Sequence, residues 1–199
     1  MSTLRKLLTA GAVVASVHAA EAMTYQYDIH NGHLAVLAKG PIEAGDGARF
    51  ESFLANLPQD LLDQKANFVF FTSEGGLVSE AMTIARAVER NHFMTGTIGP
   101  CQSGCVLPWA AGERKYSVEG DCIGVHSASM DALAKGTPKA LEKQTRENLE
   151  GVANITMAMW FWDHGAPSIV TEKILHTPSR SIYCLTDKDL ADWHVKVMP

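Results

Sequence analysis

The chain has 199 residues, 22 acidic against 17 basic, for a formal charge of -5 at neutral pH. Hydrophobic residues make up 46% and charged residues 20%, an ordinary globular composition that excludes a disordered chain, a collagen-like fibre and a disulfide-dense miniprotein. The acidic balance leaves no basic footprint for nucleic acid, and no apolar run reaches the length that spans a bilayer.

In chain order, the first segment reads as an address. Arg5 and Lys6 precede the uncharged stretch Leu7 to Val17, and small residues follow in His18-Ala19-Ala20-Glu21-Ala22. A short positive region, an apolar region and an A-x-A-like site predict a signal peptide over residues 1–22. The remainder, 23–199, reads as a single domain in an exported protein, with a bacterial periplasm as the expected compartment and no membrane span once the leader is removed. In an oxidising compartment, the four cysteines Cys101, Cys105, Cys122 and Cys184 favour disulfides over zinc or free thiols. Three pairings are open. Cys101 and Cys105 on one helical turn would stand about 6 Å apart, within disulfide range. Either could instead pair with Cys122.

Tyr25 to Asp28 and Leu34 to Lys39 predict two strands around the turn Asn31-Gly32. Phe50, Phe53, Leu54 and Leu57 give helical spacing from Asp46 to Leu57, where Pro58 stops it. The continuous run Phe68-Val69-Phe70-Phe71 predicts a strand buried on both faces. A turn containing Gly75-Gly76 leads into a helix from Leu77 to Arg90, and Phe93 to Ile98 is the next strand. This is a βαβ unit, so the sheet is expected to be parallel there. A short helix from Cys105 to Ala111 follows, then extended pieces at Tyr116 to Val118 and Cys122 to His126. Pro138 to about Trp162 reads as a long helix and Ser168 to His176 as another. Ser181 to Leu185 predicts a last strand, and Thr186 caps a final helix with Asp189 in the capping-box position.

Three places could carry chemistry. Gly75-Gly76 follows a buried strand, and glycine N–H groups there can face an anion or a developing oxyanion. It is neither a dinucleotide fingerprint nor a phosphate loop, so no nucleotide cofactor is expected. Ser103 sits at the next strand-to-helix junction beside Gly104, where a hydroxyl can stand at the sheet edge or merely cap a helix. His126 ends a strand, within reach of that turn. His30 and His33 flank a turn with no third ligand, so no metal is expected.

Taken together, Thr72-Ser73-Glu74-Gly75-Gly76-Leu77, then Cys101-Gln102-Ser103-Gly104-Cys105 leading to Ala110-Ala111-Gly112, then Ile123-Gly124-Val125-His126, resemble the ClpP/crotonase superfamily and its ClpP-like serine peptidase branch, with exported bacterial relatives. The resemblance implies an α/β fold of repeated ββα units, with a mostly parallel sheet flanked by helices. It implies Ser103 as nucleophile, His126 as general base, and the N–H groups of Gly76 and Gly104 as an oxyanion hole. A peptide or protein would be the substrate, no cofactor is implied, and the long helix would serve contacts in a homo-oligomer. Three departures stand out. Glu74 replaces a proline and would disfavour acidic substrates. Pro108 falls inside the helix after Ser103. No carboxylate stands at His176-Thr177-Pro178, where the family's acid belongs, with Asp163 a possible substitute and Asp187 too late. The competing expectations are a catalytically silent binding or scaffold protein on the same fold and, more remotely, acyl-thioester chemistry.

Overall fold

A computed structural model describes residues 22–130 and 143–199. All but the last residue of the expected leader, and the expected start of the long helix at Pro138, lie outside the described residues.

Strands β1 (Thr24–His30) and β2 (His33–Lys39) form an antiparallel hairpin closed by Asn31 and Gly32, both at positive φ. That is the backbone an Asn-Gly hairpin turn requires. Helix α1 (Asp46–Ala55) ends before Pro58, which itself precedes a short helix α2 (Gln59–Leu62) that the sequence pattern did not signal. Strand β3 (Phe68–Ser73), helix α3 (Val78–Arg90) and strand β4 (Met94–Gln102) form the expected βαβ unit. A 3₁₀ turn (Ser103–Cys105) opens α4 (Val106–Ala110), and β5 (Tyr116–Val118) and β6 (Ile123–Val125) follow. The chain then runs through α5 (Lys143–Asp163), α6 (Ser168–His176), β7 (Tyr183–Cys184), α7 (Asp187–Asp192) and β8 (Lys196–Met198).

The main sheet has the order β1-β2-β3-β4-β6-β7. The β2-β3, β3-β4 and β4-β6 pairs are parallel, and antiparallel strands close both edges. The mostly parallel α/β sheet flanked by helices is therefore as expected. Its parallel core sends the carboxyl ends of β3, β4 and β6 to one edge, where α/β sheets bind ligands.

Apolar alternation explains the packing. Leu34, Val36 and Ala38 of β2, with Val69 and Phe71 of β3, are buried, as are Phe50 and Leu54 of α1 and Ala81, Ile84, Ala85 and Val88 of α3. One expectation needs correction: β3 is fully buried on only one face. Phe68 and Phe70 are half-buried. They stack on each other, with Tyr116 of β5 against Phe68. The small β5–β8 sheet that supplies Tyr116 is only two strands wide.

The aromatic cluster at the end of α5 divides. Phe161 is buried against Trp193, which also meets Trp109, and Trp160 donates its indole N–H to the Leu107 carbonyl. Trp162 is 66% exposed. Pro108 is the third residue of α4, inside its first turn, where proline is better tolerated than in a helix interior. The capping box of α7 forms as expected: Asp189 N–H donates to Thr186 Oγ1, and Thr186 N–H to Asp189 Oδ2.

The cysteines pair Cys101 with Cys105 and Cys122 with Cys184, with Cα separations of 5.3 and 5.1 Å. The first is the one-turn pairing that the spacing allowed. The alternative of Cys122 with Cys101 or Cys105 does not form: Cys122, just before β6, is bonded to Cys184 of the neighbouring β7.

Candidate active site

At the end of β3, Ser73 is buried and its hydroxyl accepts the Gly75 N–H at 3.0 Å. Gly75 and Gly76 follow with φ of 90° and 152°. Both positions are closed to side chains. A Cβ at Gly75 would lie 2.7 Å from Ser103 Cβ and 2.8 Å from Gly104 N, and one at Gly76 would overlap the Ile42 backbone. Gly76 bridges Ile42 through the bonds Ile42 N–H to Gly75 O and Leu77 N–H to Ile42 O. Its own N–H takes no part in those bonds.

Ser103 comes next along the sheet edge. It has φ 55°, a left-handed backbone that costs a non-glycine residue about 1–3 kcal/mol and tends to occur where surrounding structure enforces it. Here the enforcement is visible. Gln102 is the last residue of β4 paired to β6, the helix begins at once, and the Cys101–Cys105 disulfide brackets the turn. Gly104 packs directly on the glycine turn, since a Cβ there would lie 3.3 Å from Gly76 N and 3.1 Å from Gly76 O. Its N–H is in the first turn, where helix donors lack intrahelical acceptors. The Ser103 hydroxyl is half-buried and has no hydrogen-bond partner among the described residues.

His126 directly follows β6. Its Nδ1 lies 2.8 Å from the carbonyl oxygen of Ser127. A carbonyl can only accept, so Nδ1 carries the proton and Nε2 is left as the acceptor nitrogen. Burial holds the imidazole pKa below its usual value, and the Ser127 carbonyl opposes that only in part. The segment after β6 is pinned by three backbone donors. Ser127 N–H bonds the Thr177 carbonyl at 2.9 Å, Ala128 N–H bonds Asn154 Oδ1 at 2.6 Å, and Met130 N–H bonds Glu150 Oε1 at 2.8 Å.

Gly76, Ser103 and His126 line one cavity of about 150 Å³, with Leu77, Met130 and Glu150 among its other walls. Within it no hydrogen bond joins Ser103 to His126. The stretch expected to hold an acid instead offers the Thr177 carbonyl to Ser127. Asp163 lies elsewhere, lining a separate apolar groove with Trp162 and Leu175. Among the described residues, no carboxylate hydrogen-bonds to His126. Glu74 is exposed beside the glycine turn. Sequence reasoning missed Glu150, Asn154 and Met130. The one signal available was that Glu150 and Asn154 are polar residues one turn apart on the long helix.

The fold is that of ClpP-like peptidases. Among solved structures, the chain is similar to ClpP1 from Listeria monocytogenes, with TM-score 0.60, 13% identity and coverage of 82% of this chain and 90% of that one. A mutant of that protein gives TM-score 0.63 at the same identity and coverage. A peptidase from Plasmodium falciparum gives TM-score 0.63 at 9% identity, covering 83% of this chain and 95% of that one. No protein-family model matches the sequence, and no curated protein matches it.

Proposed function

We propose that this protein is an exported serine hydrolase, a peptidase acting through a Ser103 acyl-enzyme. The observation that carries the proposal is the meeting of Ser103, His126 and the glycine backbone on one cavity at the carboxyl edge of the sheet. Ser103 Oγ attacks the substrate carbonyl as His126 Nε2 takes its proton. The oxyanion then faces the N–H groups of Gly76 and Gly104. Collapse to the Ser103 ester passes the proton from His126 to the leaving amine. Water, deprotonated by His126, completes hydrolysis and restores the serine. The Ser127 carbonyl takes the orienting role that an acid fills in a triad, holding the tautomer through Nδ1.

A neutral fluorophosphonate is expected to modify Ser103, read by peptide mass spectrometry. Its rate should rise with pH through an inflection below 6.5 and level off by neutrality, because only neutral His126 acts as base and burial lowers its pKa. Label on another residue, or no label on intact protein, would sink the proposal. The same shift works on stability. As pH falls below 6.5 the unfolded chain takes up a proton that the folded chain resists, so the contribution of neutral His126 is progressively lost.

A second reading, a silent binding or scaffold protein, is favoured by the missing Ser103–His126 hydrogen bond and the absent acid. The labelling experiment separates the two. The two disulfides agree with an oxidising compartment, and we assign residues 1–22 as the leader and the periplasm as the destination. Among the described residues, no helix is long and apolar enough to cross a membrane. A homo-oligomer belongs to the same proposal, with α5 as the contact. Val152, Ile155, Met159 and Trp162 are all exposed along it. Gel filtration of the protein without its leader is expected to give a mass of two or more times that of the mature chain, and a clean monomer would remove the interface.

A further inference from the structure

We infer that the cavity beside Ser103 selects substrates whose acyl-side residue is cationic, and that Glu150 determines the selection; this rests on the hydrolase reading above. Much of the wall is apolar, contributed by Leu77, Val78, Ala128, Met130 and Ala153. A carboxylate stands among them. Glu150 and Ala153 lie three residues apart on α5, the spacing that puts two side chains on one helix face. Glu150 Oε1 is engaged by the Met130 N–H at 2.8 Å, which fixes the side chain at the cavity wall. One backbone N–H does not neutralise a carboxylate.

A carboxylate on a partly desolvated, mostly apolar wall attracts a cation more strongly than the same group in water and repels an anion. Lysine and arginine are suited to such a wall, with an apolar stem along Leu77 and Met130 and a charged head at Glu150. Leucine or methionine would fill the apolar part and leave the carboxylate unmatched. Glutamate would set like charges together.

The test is a series of fluorogenic peptides differing only at the acyl-side residue: Lys, Arg, Leu, Met and Glu. The wild-type protein is expected to cleave the Lys and Arg members at least about tenfold more efficiently, by kcat/KM, than the Leu member, with Glu the poorest. Glu150→Gln keeps an oxygen for the Met130 N–H and removes the charge, so it should lower the Lys-to-Leu ratio about tenfold. Glu150→Asp should retain part of the cationic preference. Equal cleavage of the Lys and Leu peptides by wild type, or an unchanged ratio in Glu150→Gln, overturns the inference while leaving the hydrolase intact. Absence of fluorophosphonate label, together with no cleavage of any peptide, overturns the hydrolase reading and this inference with it.

Discussion

Ser103→Ala is expected to lower peptide or ester hydrolysis at least about 10³-fold and to abolish fluorophosphonate labelling, with the fold intact. The size follows from the role: without the oxygen no acyl-enzyme forms, and only water held near the glycine N–H groups remains to attack. The fold should survive because the hydroxyl bonds to nothing among the described residues and is only half-buried. The left-handed backbone at this position comes from the strand, the helix and the disulfide around it, and alanine carries the same strain as serine. The stability change should therefore stay within about 0.5 kcal/mol. Steady-state kinetics and a melting curve on one preparation check both halves. Activity retained in the variant would show that the acyl group is carried elsewhere or that catalysis is not covalent.

The second large effect concerns the cross-link behind His126. Replacing Cys122 and Cys184 together by alanine should destabilise the protein by about 2–5 kcal/mol. For a chain of this length that corresponds to a fall of roughly 5–15 °C in melting temperature. The bridge joins residues 62 apart, whereas Cys101–Cys105 joins residues four apart. Loop-closure entropy grows with the loop, so the longer bridge restrains the unfolded chain more. It also ties the short strand before His126 to β7, a two-residue strand at the sheet edge with few hydrogen bonds of its own. Activity should fall with stability. A melting temperature lowered by less than about 2 °C would show that strand pairing and packing hold β6 without the bridge.

Much of the site was legible because its parts are local. Apolar strands, glycine turns and a strand-end histidine are each visible within ten residues, and a parallel sheet brings their ends to one edge. The Cys101–Cys105 pairing was within reach for the same reason. What stayed hidden depends on contacts between distant segments. Glu150 looks like a solvated helix residue until α5 is laid against the stretch after β6, where the Met130 N–H meets it. The three-residue β8 becomes a strand only by pairing with β5. The burial of β3 was overestimated because periodicity cannot tell how wide the covering layer is. The acid was sought as a side chain, whereas the group at His126 is the backbone of the next residue.

That last feature alters how the site responds to genetic change. An acidic partner can be deleted by one codon, but the Ser127 carbonyl belongs to every amino acid that could stand there. Saturation mutagenesis at 127 would thus keep a carbonyl oxygen at this position, with proline the disruptive exception: it removes the N–H that meets Thr177 and restricts the backbone of His126. A screen confined to ionisable side chains would pass over this contact altogether. It is exposed to change from a distance instead, through Thr177, Glu150 and Asn154, the last of which holds the neighbouring N–H of Ala128 on its amide oxygen.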